Sequence, residues 1–260
     1  ETGRDFEAAL KEAQELGFAE ADPSFDIDGV DAAHKLSILA ALAFGTEVDF
    51  ENVYVEGIRK ISAFDIAAAE ELGFRIKLLG VASSSDKGIE QRVHPCMVHK
   101  GTPIAAVEGV LNAVVAEGNF VGSIMVQGPG AGAGPTASAV VGDLVDLARG
   151  NRLPAFTLRA EHLRANCSRS MAEHVGSYYM RLTVLDQPGV IAEVSAVLRD
   201  AKISMESMLQ HGRADGAGKP VQVVITTHET EEAAMLHALE GIAACSAVLQ
   251  PPVLIRIETI

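Results

Sequence analysis

The spacing of hydrophobic and polar positions changes several times along the chain, and each change predicts an element. Phe6, Leu10, Ala13 and Leu16 recur at helical spacing, so residues 4–16 read as an amphipathic helix that Gly17 ends. A polar stretch punctuated by Pro23 and Gly29 follows and reads as a loop. From Leu36 to Phe44 apolar residues occupy every side, so the helix 30–44, stopped by Gly45, is expected to be buried. Val53–Ile58 alternates like a strand, Ala63–Leu72 reads as a helix closed by Gly73, and Phe74–Ala82 alternates again. Gln91–Val98 is a further strand, with Pro95 suggesting an edge or a bulge. Ala105–Val110, Asn112–Ala116 and Phe120–Gln127 are short elements rich in Val, Ile and Gly, and Ala137–Ala148 reads as a helix. Strands outnumber helices without strict alternation, which predicts an α+β domain with an open, mixed or largely antiparallel sheet.

Residues 150–177 are polar and Arg-rich, a connection with at most a helical turn or two over Leu158–Leu163. Beyond it the pattern is new. Tyr178–Leu185 reads as a strand, Asp186–Gly189 as a turn, and Val190–Ala201 as a helix that Pro188 helps to start. Ile203–Leu209 and Pro220–His228 are strands joined by a hairpin loop at Ala214–Gly218, followed by a helix over Glu231–Ala244 and a strand over Val253–Glu258. That order, βαββαβ, is the ferredoxin-like split motif. The expected organisation is a domain over 1–150, a linker over 151–177 and a second domain over 178–260, which 260 residues accommodate.

Charge narrows the function classes. A net charge of −14 argues against nucleic-acid and anionic-membrane partners, which require basic patches. With no run of about 18 apolar residues and no secretory pattern, a soluble cytoplasmic protein is expected. Cys96, Cys167 and Cys245 are widely spaced and read as reduced structural thiols. His94, Cys96 and His99 are candidate zinc ligands. On a strand only His94 and Cys96 share a face, and a fourth ligand is missing, so no metal is expected. The chain opens without Met directly into a helical pattern, which reads as a fragment of a longer protein.

Candidate chemistry concentrates in Glu20–Lys35. Five carboxylates lie between Glu20 and Asp31, and Asp31 and Lys35 share one helix face. Three readings compete. The simplest is a surface ion pair at a helix start. The second is a calcium loop beginning at Ser24, but its twelfth position, which needs a bidentate Glu, is Lys35. The third is a polar small-molecule site, with carboxylates for a substrate ammonium and a lysine for proton transfer. Separately, Gly128–Gly134 opens a helix, where glycines allow close approach of a ligand to backbone amides. Gly128, Gly130 and Ala133 satisfy a loose dinucleotide fingerprint, but no βαβ unit follows, so a complete Rossmann site is not expected.

Gly17–Pro23 with Asp26, Gly29, Asp31 and Lys35, then Ile61–Gly80, Asn112–Val114 and Gly128–Ala139, together resemble homoserine dehydrogenase over about residues 1–150. Tyr178–Ile260, with Asp186, Pro188 and Gly189 after its first strand, resembles an ACT domain. The resemblance implies NAD(P)-dependent interconversion of L-homoserine and L-aspartate 4-semialdehyde. It implies Lys35 as the proton donor and acceptor, Asp31 as its aligning and substrate-binding partner, and Glu20 and Asp26 as ligands of the substrate ammonium. Gly17, Gly130 and Gly132 would line the cofactor cleft, with NAD(P) held mainly by a domain absent from this chain. Asp186, Gly189, Val190 and Ile191 would bind an amino-acid effector, threonine first. A homodimer or higher homo-oligomer is implied, and these residues alone are expected to be catalytically inactive. The competing reading is a non-catalytic, amino-acid-binding and dimerising fragment.

Overall fold

The computed structural model describes residues 6–15, 22–210 and 220–259. Helix α1 (Phe6–Glu15) buries none of its residues fully. The expected loop contains one helical turn, α2 (Ser24–Ile27), and then α3 (Val30–Phe44). Gly29 and Gly45 flank α3 in the left-handed region, at φ 82° and 64°. At Gly29 a Cβ would also lie 3.2 Å from Val93 and 3.4 Å from Val55, so glycine is required there twice over. Burial of α3 is one-sided rather than complete. Ala33, Leu36, Ala40 and Ala41 are buried, whereas Ile38 and Leu39 are 48% and 42% exposed. An apolar residue on every side therefore leaves part of this helix uncovered.

The first half is built on a long hairpin. Strands β2 (Phe74–Ser85) and β3 (Gly88–His99) pair antiparallel from Phe74↔His99 to Ser85↔Gly88. Before them come the two-residue strand β1 (Tyr54–Val55), which pairs parallel with β3, and α4 (Ala63–Glu71). Ser62 and Asp65 form a reciprocal capping box that fixes the start of α4. After a short 3₁₀ turn (Pro103–Ala106), β4 (Leu111–Gly118) and β5 (Gly122–Pro129) form a separate hairpin. Helix α5 (Ala133–Ala148) starts four residues earlier than the pattern suggested, taking Gly134 and Pro135 into its first turn.

The second half follows the expected split motif. It comprises β6 (Val175–Leu185), α6 (Val190–Asp200), β7 (Met205–Gln210), β8 (Pro220–Thr227), the short β9 (Thr230–Glu231), α7 (Glu232–Ala243) and β10 (Val253–Glu258). Its sheet order is β10-β6-β8-β7, all antiparallel, over a core that includes Tyr178, Leu182, Val194, Leu198, Ile225 and Ile242. The hairpin loop expected at 214–218 lies outside the described residues.

The two halves share one sheet. β10 pairs antiparallel with β6 on one side and parallel with β3 on the other, through Arg256↔Cys96, Ile257↔Met97 and Glu258↔Val98. β3 is thus a central strand, and the edge reading of Pro95 is wrong. Pro95 sits between the positions facing β1 (Arg92, Val93) and those facing β10 (Cys96–Val98), where the ends of two neighbours meet and no ladder donor is needed. A second core, with Ala68, Ala69, Met97, Tyr179, Val224 and Ile255, fills the junction. Residues 151–177 run back along the first half rather than dangling. The amides of Arg164 and Ile89 donate to the carbonyls of Gly45 (3.1 Å) and Cys167 (2.8 Å), and Arg169 donates to Ile89 (2.8 Å).

Candidate active site at an acidic helix start

The first turns of α3 place Lys35 one turn after Asp31, and Lys35 Nζ donates to Asp31 Oδ2 at 2.5 Å. The side chains are 68% and 37% exposed, so the pair faces solvent and a ligand can reach both groups. Asp26 is exposed on α2, with no side-chain hydrogen bond or ion pair among the described residues. Gly17 and Glu20 lie outside the described residues. The burial expected for helix 30–44 does not reach Lys35, because the exposed side of α3 carries Lys35 together with Ile38 and Leu39.

The remaining carboxylates of this segment are structural. Asp22 Oδ1 accepts from the Ser24 amide at 3.1 Å, and hydrogen bonding from Ser24 holds its carboxyl below the usual range. Asp28 is gripped by Arg59, whose Nε donates to Oδ1 at 2.5 Å and Nη2 to Oδ2 at 3.0 Å. The guanidinium holds the Asp28 carboxyl below its ordinary value. Arg59 Nη2 also reaches Ser24 Oγ at 3.2 Å, so one fork clamps both ends of α2. His34 stacks between Phe25 and Phe50, with ring centroids 5.8 and 3.9 Å away. Neither Arg59 nor the His34 stack was anticipated, because their partners are distant in sequence and follow no period.

Beneath this segment lies a rigid floor. Ile58 N–H donates to the Ile27 carbonyl at 3.0 Å. At Gly57 a Cβ would lie 2.4 Å from the Ile27 carbonyl oxygen, so the backbones of 56–58 and 27–28 touch directly.

The glycine loop stands on a different element, between β5 and α5. A Cβ on Gly130 would lie 2.5 Å from Asn112 Nδ2, and Gly132, at φ 115°, caps α5. Gly128 and Gly134 face open space. A loop at a helix start with no side chain larger than the Ala131 methyl, where first-turn amides lack intrahelical partners, fits one wall of a dinucleotide site. On the far module, Gly189 takes φ 99° and starts α6 directly after the turn holding Asp186. Val190 is buried there and Ile191 packs partly buried against the same core.

His94, Cys96 and Glu258 bring their ligating atoms within 4.8 Å of one another. Arg92 Nη2, however, donates to both Glu258 oxygens at 2.9 Å. Burial, helped by the charge of Arg256, pushes His94 down to about 3, and burial pushes the Cys96 thiol up. Guanidinium groups on two sides disfavour a cation here. His99 is elsewhere, edge-on to Phe74 at 5.9 Å.

A catalytic α+β domain sharing a sheet with an ACT-type module is the class these features define. The family described as homoserine dehydrogenase matches residues 1–145, and that described as ACT domain matches residues 178–244. The chain belongs to the homoserine dehydrogenase family. It is 44% identical to a homoserine dehydrogenase of Neisseria gonorrhoeae over 100% of its own length and 61% of the relative's. To that of Pseudomonas aeruginosa it is 42% identical, covering 99% of this chain and 61% of the other. The crystal structure of a homoserine dehydrogenase from Thiobacillus denitrificans superposes with a TM-score of 0.90 at 43% identity, over 99% of this chain and 59% of that one. The chain thus spans about three fifths of the length of these relatives. No described helix is long and apolar enough to cross a membrane.

Proposed function

We propose that this chain carries the substrate site of an NAD(P)-dependent homoserine dehydrogenase that interconverts L-homoserine and L-aspartate 4-semialdehyde. One observation carries the reading: Lys35 and Asp31 are solvent-facing and paired at 2.5 Å on the first turns of α3, and the short helix α2 just before it carries the exposed Asp26. A zwitterionic amino acid needs carboxylates for its ammonium, and an alcohol–aldehyde interconversion needs a group that takes and returns a proton at the oxygen. Asp26 and Glu20 serve the ammonium. Lys35 exchanges the proton of the substrate oxygen, and Asp31 binds substrate and keeps Lys35 in line. The cofactor, when bound, supplies the hydride chemistry, and this chain's part is to orient the substrate against it. Gly17, Gly130 and Gly132 line the near wall of that cleft.

In this reading the chain divides into a catalytic domain over 1–150, a linker over 151–177 and an ACT regulatory domain over 178–260. Amides at Val190 and Ile191, with Gly189 and Asp186 at the turn, receive an amino-acid effector, threonine being the first choice. The working form is a cytoplasmic homodimer. Val126, Val140 and Leu144 on β5 and α5 are 68%, 55% and 58% exposed, apolar surface of the kind that a second copy or a further domain covers.

The test uses a fusion of this chain behind the upstream portion of the Neisseria relative. Lys35→Ala should lower kcat by roughly 10² or more while the protein stays folded. Near-normal turnover would reduce Lys35 to an ion-pair partner. The 260 residues alone should be inactive, and NADPH titrated to about millimolar, where binding is worth only about −4 kcal/mol, should leave their fluorescence unchanged. Micromolar binding would reveal a complete nucleotide site within this chain. Gly189→Val should abolish effector inhibition and spare basal activity, because φ 99° strains any β-branched residue at the effector turn. Inhibition that survives the change would move the effector elsewhere.

A further inference from the structure

Arg256 enters the sheet on β10, the last strand, yet its side chain ends on the first half of the chain. Its Nε donates to Glu232 Oε2 at 3.1 Å and its Nη2 also bonds Glu232, at the start of α7. Nη1 donates to Glu56 Oε2 at 2.8 Å, and Nη2 to Tyr54 Oη at 3.0 Å, with the guanidinium 5.0 Å from the Tyr54 ring centre. Arg256 and Glu232 are 2% and 1% exposed, so this fork is dry. Tyr54 Oη also donates to Glu56 at 3.1 Å, and burial pushes the Tyr54 phenol up to about 12, which keeps it neutral.

What Arg256 holds is the floor of the candidate active site. β1 contributes only two ladder positions to the sheet, Tyr54↔Arg92 and Val55↔Val93, too few to place it firmly. Residues 56–58 follow at once and carry the Ile58 bond to Ile27 and the closed contact of Gly57 with Asp28. Four residues past Ile27 is Asp31, and the Gly29 that starts α3 lies against Val55 and the Glu56 carbonyl. The nearby cleft lined by Tyr54, Glu56, Lys60, Leu236 and Arg256 has its charged groups paired with one another, so it serves this joint rather than a ligand.

We infer that Arg256 is a positioning residue: the ACT-type module, through Arg256 gripping Glu56 and Tyr54, sets the height and angle of the acidic segment that bears Asp26, Asp31 and Lys35. The inference rests on the reading of that segment as the substrate site. Any displacement of β10 or of the start of α7 is passed to the floor by a chain of contacts with no flexible link.

The experiment begins on the 260-residue chain itself, by amide hydrogen exchange. Glu56→Gln keeps shape and a neutral acceptor, and the pair Arg256→Met with Glu232→Gln removes the fork together with its fully buried carboxylate, leaving the partly exposed Glu56 with Lys60 at 3.7 Å. Both should lower protection of the Ile58 and Ala33 amides roughly tenfold or more, with the β6–β8 ladder unchanged. Unchanged protection at Ile58 and Ala33, or an equal loss everywhere, would overturn the inference. In the fusion enzyme, Glu56→Gln should raise the KM for homoserine several-fold with the KM for NADP unchanged, and Arg256→Lys should restore part of what Arg256→Met loses. Lys35→Ala separates the two readings. If it leaves turnover intact, the site assignment fails; if it abolishes turnover while Glu56→Gln leaves both KM values unmoved, only the role of Arg256 fails.

Discussion

Two ion-pair systems in this molecule use the same chemistry for opposite ends. At the start of α3, Lys35 and Asp31 meet in water, 68% and 37% exposed. At the junction of the halves, Arg256 with Glu232 and Arg92 with Glu90 and Glu258 are sealed, none of these side chains more than 10% exposed. Asp65, fully buried, adds a third fork there, accepting from Tyr179 Oη at 2.9 Å and Arg181 Nε at 2.7 Å. Exposed pairs contribute little to stability but leave their charges available to a ligand. Buried pairs cannot be separated cheaply, and so they fix geometry. The candidate site is therefore built from weakly committed charges standing on a floor of strongly committed ones.

The contrast is tested most severely by breaking one buried partner. Arg256→Met should destabilise the chain by about 3–5 kcal/mol in denaturant unfolding, because the buried Glu232 loses its counter-charge and the partly exposed Glu56 is left with Lys60 at 3.7 Å. Removing the charge of Glu232 in the same chain should recover much of that loss. If the single and double variants are equally unstable, the junction is held by its sheet and core and not by the fork.

Acid should also attack the junction first. Burial, with Arg256 and Arg92 nearby, holds His94 at about 3, far below the unfolded value of 6.5. The unfolded chain then binds more protons than the folded one between those limits, so stability falls as pH drops through that window. The loss should be about 3 kcal/mol at pH 4. Glu90 acts in the same direction. Burial raises its carboxyl, but the His174 hydrogen bond and Arg92 outweigh burial and leave it lowered, so its contribution is lost as pH falls toward and below 4.5. Urea midpoints measured from pH 7 to 4 should slope steeply, and His94→Gln should flatten the upper part of that slope. An unaltered slope in the variant would assign the acid sensitivity elsewhere.

Next in size is the floor itself. Gly57→Ala puts a Cβ 2.4 Å from a backbone oxygen, a clash that only backbone movement relieves. The expected cost is about 1–3 kcal/mol, read as a lowered Tm. Gly128→Ala, in open space, should cost almost nothing. Equal effects at the two glycines would show that the floor yields.

Sequence periodicity located nearly every element because each buries a face. The α3 boundaries were legible in Gly29 and Gly45, and the split motif in its alternating strands. The acidic segment was legible as an unusual density of carboxylates, and the Asp31–Lys35 pair follows from helical spacing alone. The shared strand was not legible. That β10 lies between β6 and β3 depends on pairings across 160 residues, Arg256 with Cys96, which no local pattern encodes. Pro95 misled for the same reason, since its permissive position exists only where the ends of β1 and β10 meet. Arg59 and Arg256 were silent because a lone arginine in a strand or loop carries no sign of the carboxylate it will find.

The smallest expected effect is the sharpest test of the comparison. Lys35→Met removes a short ion pair, 2.5 Å between Nζ and Oδ2, and bond length alone would suggest a substantial loss of stability. Exposure argues otherwise. At 68% and 37% exposed, each group exchanges its partner for water at little cost, and an i,i+4 pair on a helix surface is worth roughly 0.3–0.5 kcal/mol. Methionine keeps the helix-forming stem, so propensity hardly changes. Urea unfolding at low and at high salt should place Lys35→Met within about 0.5 kcal/mol of the parent, with the difference shrinking as salt screens the charges. A loss above about 2 kcal/mol would mean that the lysine is committed to the fold as firmly as Arg256 is. In that case the distinction between charges held for architecture and charges kept for a substrate would not survive.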